Sequence, residues 1–307
     1  MKVSVIIPCY NVEQYVTRCI NSALEQIYQD IEIICVDNNS TDNTLQILKE
    51  FEEKFPNKIT VLQELIKGAP AARNKGLSIA KGEWIQFLDA DDELMPSKIL
   101  NQVNYINTNP TIEVIISPFI KNFISNKKLY IETLENIWKG LIVSRAGCTC
   151  SNLYKKNVLL KILGWDETQK SSQEAWLLFS LLKHKSKISV FNEAETIVNE
   201  RMVGSISYNN RVTNWERYII LRNEIWIFLK STNTLNPEME AVLNQTIFDS
   251  VRFVFKIDPK KSVNLYEKFV KNKFIPVTSE ITTKNYLVLY NLIGFFMTEK
   301  IRTIITR

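Results

Sequence analysis

The chain has 307 residues, 45% hydrophobic and 23% charged, ordinary globular proportions that exclude a disordered or fibrous protein. Its five cysteines follow no framework spacing, Cys148 and Cys150 forming the only close pair, and His184 is the sole histidine. These counts argue against a disulfide scaffold, a His-rich metal site and a Ser-His-Asp hydrolase, and fit a reduced, cytoplasmic compartment. The net charge of +5 is uneven: residues 201–307 hold 16 Lys and Arg against 9 Asp and Glu, and the rest hold 22 against 24.

The first third alternates between two periods. Residues 3–7 form a short apolar run ended by Pro8, and apolar residues from Val12 to Ile27 then recur at helical spacing. Strands are expected at 31–36, 59–62 and 84–88, with helices carrying Leu45, Leu48, Phe51 and Phe55, and then residues 71–80. This strand–helix rhythm predicts an α/β fold with a mainly parallel sheet covered on both faces. Ligands bind beyond the carboxyl ends of strands in such sheets, which singles out Asn11, Asp37 and Asp89. Further on, helices are expected at 96–108, 134–143 and 172–182, and strands at 112–117 and 187–191. Residues 118–165 give little other pattern. From about residue 212 nearly everything reads as helix, at 214–229, 237–255, 260–270 and 284–305.

Several residues could carry chemistry, each against a plainer alternative. Asp89, Asp91 and Asp92 follow the apolar run 84–88; such acids either form a solvated turn before the next helix or hold Mg²⁺ or Mn²⁺ with oxygen donors. Asp37 suits a ribose hydroxyl or a base N–H, or equally an Asx-turn. Arg73, early in a helix, suits a phosphate but is also an ordinary surface residue. Glu174 opens the bulky run Ala175-Trp176-Leu177-Leu178-Phe179, the setting of a general base, or of a first-turn acid favoured by the helix dipole.

Order and context add to these. Val3-Ser4-Val5-Ile6-Ile7-Pro8-Cys9-Tyr10-Asn11 and Val36-Asp37-Asn38-Asn39-Ser40-Thr41-Asp42 are followed by Ala71-Ala72-Arg73-Asn74-Lys75-Gly76-Leu77, then by Gly82-Glu83-Trp84-Ile85-Gln86-Phe87-Leu88-Asp89-Ala90-Asp91-Asp92. The four segments closely resemble the family 2 glycosyltransferases, strongly over residues 1–95 and through about residue 208 in Gly164-Trp165-Asp166-Glu167, Gln173-Glu174 and Gly204-Ser205-Ile206-Ser207. The resemblance implies a GT-A type fold, with a nucleotide-sugar-binding half at 1–95 and an acceptor half at 96–211; beyond it the resemblance ends, and the helical region at 212–307 rests on spacing and composition alone. It implies that Pro8, Tyr10 and Asn11 line the nucleotide pocket, that Asp37 contacts the base, usually uracil, and that Arg73 sits near the diphosphate. Asp89, with Ala90 beside it, would reach the ribose or a divalent metal, Mn²⁺ or Mg²⁺, and Asp91 would ligate that metal. Glu174 matches the catalytic acid, and Arg201 is expected on a loop closing over the donor. The sequence departs from the family in three places: Asn38 stands where a second acid is usual, Ile66 where Asn is usual before Gly68, and Gln173-Glu174 where Glu-Asp is typical.

The implied reaction is inverting transfer of a sugar from a nucleotide-diphosphate donor, a UDP-sugar first, to a saccharide or lipid-linked saccharide acceptor in cell-surface polysaccharide or glycolipid synthesis. A nucleotidyltransferase of similar fold would need a Gly-rich, Lys-bearing triphosphate loop, which the sequence lacks. A non-catalytic nucleotide-sugar-binding module would have no need to keep Asp37, Asp89, Asp91 and Glu174 together. The last helices suit a scaffold, an oligomer interface or a membrane-surface patch. Tyr286, Leu287, Leu289, Tyr290, Ile293, Phe296 and Met297 form an apolar stripe ahead of Lys300, Arg302 and Arg307, fit either for core packing or for an anionic leaflet at the inner face of the membrane. No signal peptide or bilayer-length apolar run is expected, and the diffuse basic excess predicts no nucleic-acid partner.

Overall fold

The computed structural model describes residues 1–201, 210–270 and 274–305. The chain divides into two compact units, Met1–Gly204 and Ser205–Arg307.

The first unit is built on a seven-stranded sheet in the order β10-β6-β9-β4-β1-β2-β3. Its strands are β1 (Val3–Cys9), β2 (Ile31–Asp37), β3 (Ile59–Gln63), β4 (Trp84–Phe87), β6 (Val114–Ile116), β9 (Leu153–Lys155) and β10 (Ile188–Val190). All neighbours run parallel except β9, which lies antiparallel between β4 and β6. β1 is almost wholly buried, as a central strand covered on both faces requires. Between the strands run α1 (Val16–Leu24), α2 (Thr44–Lys54), α3 (Ala69–Ile79), α4 (Lys98–Thr108), α5 (Ile137–Val143), α6 (Lys156–Lys161) and α7 (Gln173–Lys183). α1 buries Val16, Cys19, Ile20 and Ala23 against the sheet. α3 lies close on β1 because Gly76 has no side chain; a Cβ there would come within 2.5 Å of Ile6 Cγ2.

A second, four-stranded sheet has the order β5-β11-β7-β8, from β5 (Glu93–Leu94), β7 (Phe119–Asn122), β8 (Lys128–Ile131) and β11 (Thr196–Asn199). The hairpin β7–β8 and the strands β5, β9 and β11 fall where the sequence pattern is weak. They are too short for periodicity to register, and pairing rather than propensity holds them.

The second unit contains α8 (Arg211–Ser231), α9 (Pro237–Phe255), α10 (Pro259–Phe269) and α11 (Lys284–Ile305). Phe248, Val251, Phe255, Leu265, Tyr286 and Phe295 share its core. A buried ion pair, Arg252 to Glu299 at 2.6 Å, ties α9 to α11, and Arg302 reaches the same carboxylate at 2.5 Å. α11 is not the continuous helix that the spacing predicts. Gly294, at φ 73° and ψ 178°, breaks it into two segments, a backbone state open to glycine at little cost. The expected apolar stripe divides accordingly: Tyr286 is buried and Leu287 and Tyr290 pack on the core, whereas Ile293, Phe296 and Met297 are exposed; outside the stripe, Phe295 is buried and Val288 and Leu292 are exposed. No helix among the described residues is long and apolar enough to cross a membrane.

Candidate active site

Three parallel strands deliver their carboxyl ends to one edge. The register sets Cys9 opposite Asp37 on β1 and β2, and Ile6 opposite Phe87 on β4, so Pro8–Asn11, Asp37 and the Asp89 turn all emerge on that edge. Tyr10 is half exposed. Asn11 sits at φ 48°, its side chain accepting from Thr41 N–H at 2.8 Å while its own N–H donates to Ser40 Oγ at 3.1 Å. Asp37 is 1% exposed and accepts from Ser40 N–H, three residues on, at 3.3 Å. Asn38, one of the three departures from the expected pattern, has a structural part in this chain. Its amide donates to the carbonyls of Glu64 and Ile66 at 2.8 Å each and accepts from Gly68 N–H at 2.7 Å. It thereby shapes the loop into α3.

α3 carries Arg73 inward, only 4% exposed, so it is no surface arginine. Its guanidinium pairs with Asp89 at 2.7 Å, donates to Gln173 Oε1 at 3.0 Å, and lies 4.4 Å from the Trp165 ring. Arg73 therefore bridges the acidic turn after β4 and the first residue of α7, next to Glu174. Glu174 itself is exposed and lines a cavity of about 230 Å³.

The acidic turn is held from two further elements. β11 pairs antiparallel with β5, Ile197 opposite Glu93. This brings Asn199 N–H to Asp92 at 2.9 Å and Arg201 onto the Asp91 carboxylate in an ion pair. Arg201 also lies 5.2 Å from the Tyr15 ring. Because β9 runs antiparallel to β4, the residues preceding it stand opposite the end of β4. Cys150 thus donates to Asp92 Oδ2 and accepts from Asp89 N–H, both at 3.2 Å. Ala90 is buried beneath the turn.

Burial pushes the Asp91 carboxyl above its ordinary value, against the hydrogen bond and charge of Arg201, and Asp89 adds to the rise. Burial, then the charges of Asp91 and Asp89, push Asp92 well above the usual range. At Asp91 and Asp92 the charge of neighbouring carboxylates thus adds to the effect of burial, a condition that a cation relieves. The oxygen-rich donors suit a hard divalent ion. Donor atoms of Asp89, Asp92 and Cys150 lie within 4.8 Å of one another; Asp91 stands outside that group, its charge met by Arg201.

Sequence reasoning did not find Cys150, Asn199 or the bridging role of Gln173. Only the close pair Cys148 and Cys150 and the segment around Trp165 gave any signal.

An α/β sheet of this order, with an acidic turn at its carboxyl edge and a helical unit following, is a GT-A type fold. The profile of Glycosyl transferase family 2 matches residues 4–162, just over half of the chain, and the chain belongs to that family. It is 31% identical over 223 residues to the minor teichoic acid biosynthesis protein GgaB of Bacillus subtilis (strain 168), covering 69% of this chain and 24% of GgaB. It is 30% identical over 217 residues to the UDP-Glc:alpha-D-GlcNAc-diphosphoundecaprenol beta-1,3-glucosyltransferase WfaP of Escherichia coli, covering 67% of this chain and 80% of WfaP. The chain spans only 24%, 36% and 18% of three of the relatives it matches. The crystal structure of S. aureus TarS 1-349 in complex with UDP-GlcNAc superimposes with a TM-score of 0.72 at 21% identity, over 98% of this chain and 91% of that one, a likeness of fold.

Proposed function

We propose that this chain is an inverting glycosyltransferase that moves a sugar from a nucleotide-diphosphate donor, a UDP-sugar first, to a hydroxyl of a saccharide or lipid-linked saccharide in cell-surface polymer or glycolipid synthesis. One observation carries the reading: the Arg73 guanidinium spans from Asp89 at 2.7 Å to Gln173 at 3.0 Å. It ties the acidic turn of the donor edge to the first residue of α7, which supports a single site that includes the neighbouring Glu174. Pro8, Tyr10, Asn11 and Asp37 hold the nucleotide, and Arg73 meets the diphosphate. Asp89 and Asp91 would hold Mn²⁺ or Mg²⁺, Asp91 once Arg201 leaves its carboxylate, and the ion would supply Lewis-acid stabilisation of the leaving diphosphate. Arg201, paired with Asp91 in the structure, comes to the donor from the segment after β11. Glu174 takes the acceptor proton as its oxygen attacks the anomeric carbon from the face opposite the diphosphate, the geometry of a single displacement.

The acceptor is met at the inner face of the membrane through the 284–307 segment. The exposed Leu292, Ile293, Phe296 and Met297 supply an apolar patch and the basic second unit an attraction to anionic lipid.

The test is Glu174→Gln. A thermal-shift panel of nucleotide sugars with and without Mn²⁺ identifies the donor, since binding stabilises the native state by mass action. The variant should keep donor affinity and lose turnover by at least a hundred-fold. Normal turnover would move the base to another acid, with Asp166 and Glu167 next in line.

A further inference from the structure

The cavity beside Glu174 has a chemical character of its own. Its walls come from four elements: Phe119 of β7, Leu141 of α5, the loop with Ala146 and Cys148, and Ala175 and Leu178 of α7. Leu141, Ala146 and Leu178 are buried apolar residues. The loop is fixed from behind by Asn152, whose amide is spent on protein. It accepts from Ser117 N–H at 3.2 Å and donates to the Ala146 carbonyl at 3.2 Å. Gly147 follows that amide at φ +69°, where a Cβ would fall 2.1 Å from Asn152 Oδ1. The pocket is therefore preformed and mostly apolar. Among the described residues lining it, Glu174 is the single charged group and none is basic.

A pocket of this kind selects by charge. A phosphate or carboxylate entering it would lose water, meet no cation among the described lining residues and face the Glu174 carboxylate, a desolvation and repulsion cost. A neutral ring with one apolar face gains burial and presents its hydroxyls at the mouth, where Glu174 stands. At about 230 Å³ the space lies below the ~300–1,000 Å³ of drug-sized sites, so it admits one ring rather than an extended chain.

We propose that this cavity seats the acceptor's terminal residue, that this residue is an uncharged sugar ring, and that phosphate-bearing units are turned away from it. The inference rests on the reading of Glu174 as the base and narrows the saccharide acceptor to one whose terminal ring carries no charge.

Cys148 offers a direct probe, because it is partly exposed while the other four cysteines are buried. Iodoacetamide labelling followed by mass spectrometry should modify Cys148 first. Phenyl β-glucoside or phenyl β-N-acetylglucosaminide should slow that labelling at least ten-fold at saturation, and glycerol phosphate dimer at the same concentration should leave it unchanged. Ala175→Phe, which fills the cavity, should weaken glycoside binding in saturation-transfer NMR at least ten-fold while UDP binding persists. Equal protection by the phosphate dimer, or no protection by either glycoside, would overturn the proposal; the labelling arm uses the unaltered chain and does not depend on the variant folding. If the glycosides protect but Glu174→Gln turns over normally, the base assignment falls and the cavity stands. If that variant is inactive and the glycosides neither bind nor protect, the cavity proposal falls alone.

Discussion

Replacing Arg73 by Met removes three interactions at once. The charge-assisted bond to Asp89 is worth ~1.5–3 kcal/mol in general, and the one-third exposure of that carboxylate favours the lower end. The bond to Gln173 adds ~1 kcal/mol, and the cation over Trp165, largely desolvated, ~1–2 kcal/mol. Two gains offset these losses. Met packs its stem in the same space, and the buried Arg73 Nε, which has no hydrogen-bond partner among the described residues, leaves with the guanidinium. The net loss is about 2–3 kcal/mol, or roughly a 5–10 °C fall in melting temperature for a unit of this size. Arg73→Lys keeps the charge without the planar fork, so it should fall between the two. Differential scanning calorimetry measures the stability and titration with UDP measures the donor site, where Arg73→Met should cost more than Arg73→Lys. A Met variant melting within 1 °C of the parent, or a Lys variant as damaged as the Met one, would refute the reasoning that the guanidinium bridges the acidic turn and the start of α7.

Asp91→Asn should melt within about 3 °C of the parent, because losing the Arg201 pair is offset by less repulsion from Asp89 and Asp92; calorimetry should show Mn²⁺-dependent UDP binding weakened at least ten-fold, and unchanged affinity would remove Asp91 from the cation site. Lys98 is buried against Gln86 and Gln102, and burial lowers its ammonium to about 7. Between there and its unfolded value of about 10.5 the unfolded chain binds a proton that the native state lacks, so its contribution to stability rises with pH by up to ~1.4 kcal/mol per unit and is flat below about pH 6. Lys98→Met should erase that rise, and urea unfolding of both proteins between pH 6 and 9 with a constant gap would contradict it. Leu292→Ser combined with Phe296→Ser should reduce co-sedimentation with anionic liposomes at low salt, the parent's binding weakening as salt rises; equal binding by both proteins would take α11 off the membrane. Point changes are needed, because deleting α11 would strip Tyr286, Phe295 and Glu299 from the core of the second unit.

The sequence by itself determined what local pattern and side-chain type can express. Apolar runs ending in Pro8, Asp37 and Asp89, alternating with helical spacing, determined a parallel α/β sheet and placed the polar residues at its carboxyl edge, because strand period and helix period are properties of neighbouring residues. The four ordered motifs likewise named Arg73 and the acidic turn, and the later Gln173-Glu174 segment named Glu174. Tertiary structure alone decided what lies beside them. Cys150 meets Asp92 because β9, 3 residues long, enters the sheet antiparallel. Arg201 meets Asp91 because β11 pairs with the 2-residue β5. Gln173 meets Arg73 across 100 positions of chain. Such short strands carry too few residues to show a period, and their pairing is stabilised only once the long strands have formed a surface to receive them. Contacts between residues distant in sequence leave no mark on local hydrophobic spacing, so the charge pairing of the site belongs to the fold rather than to any segment of it.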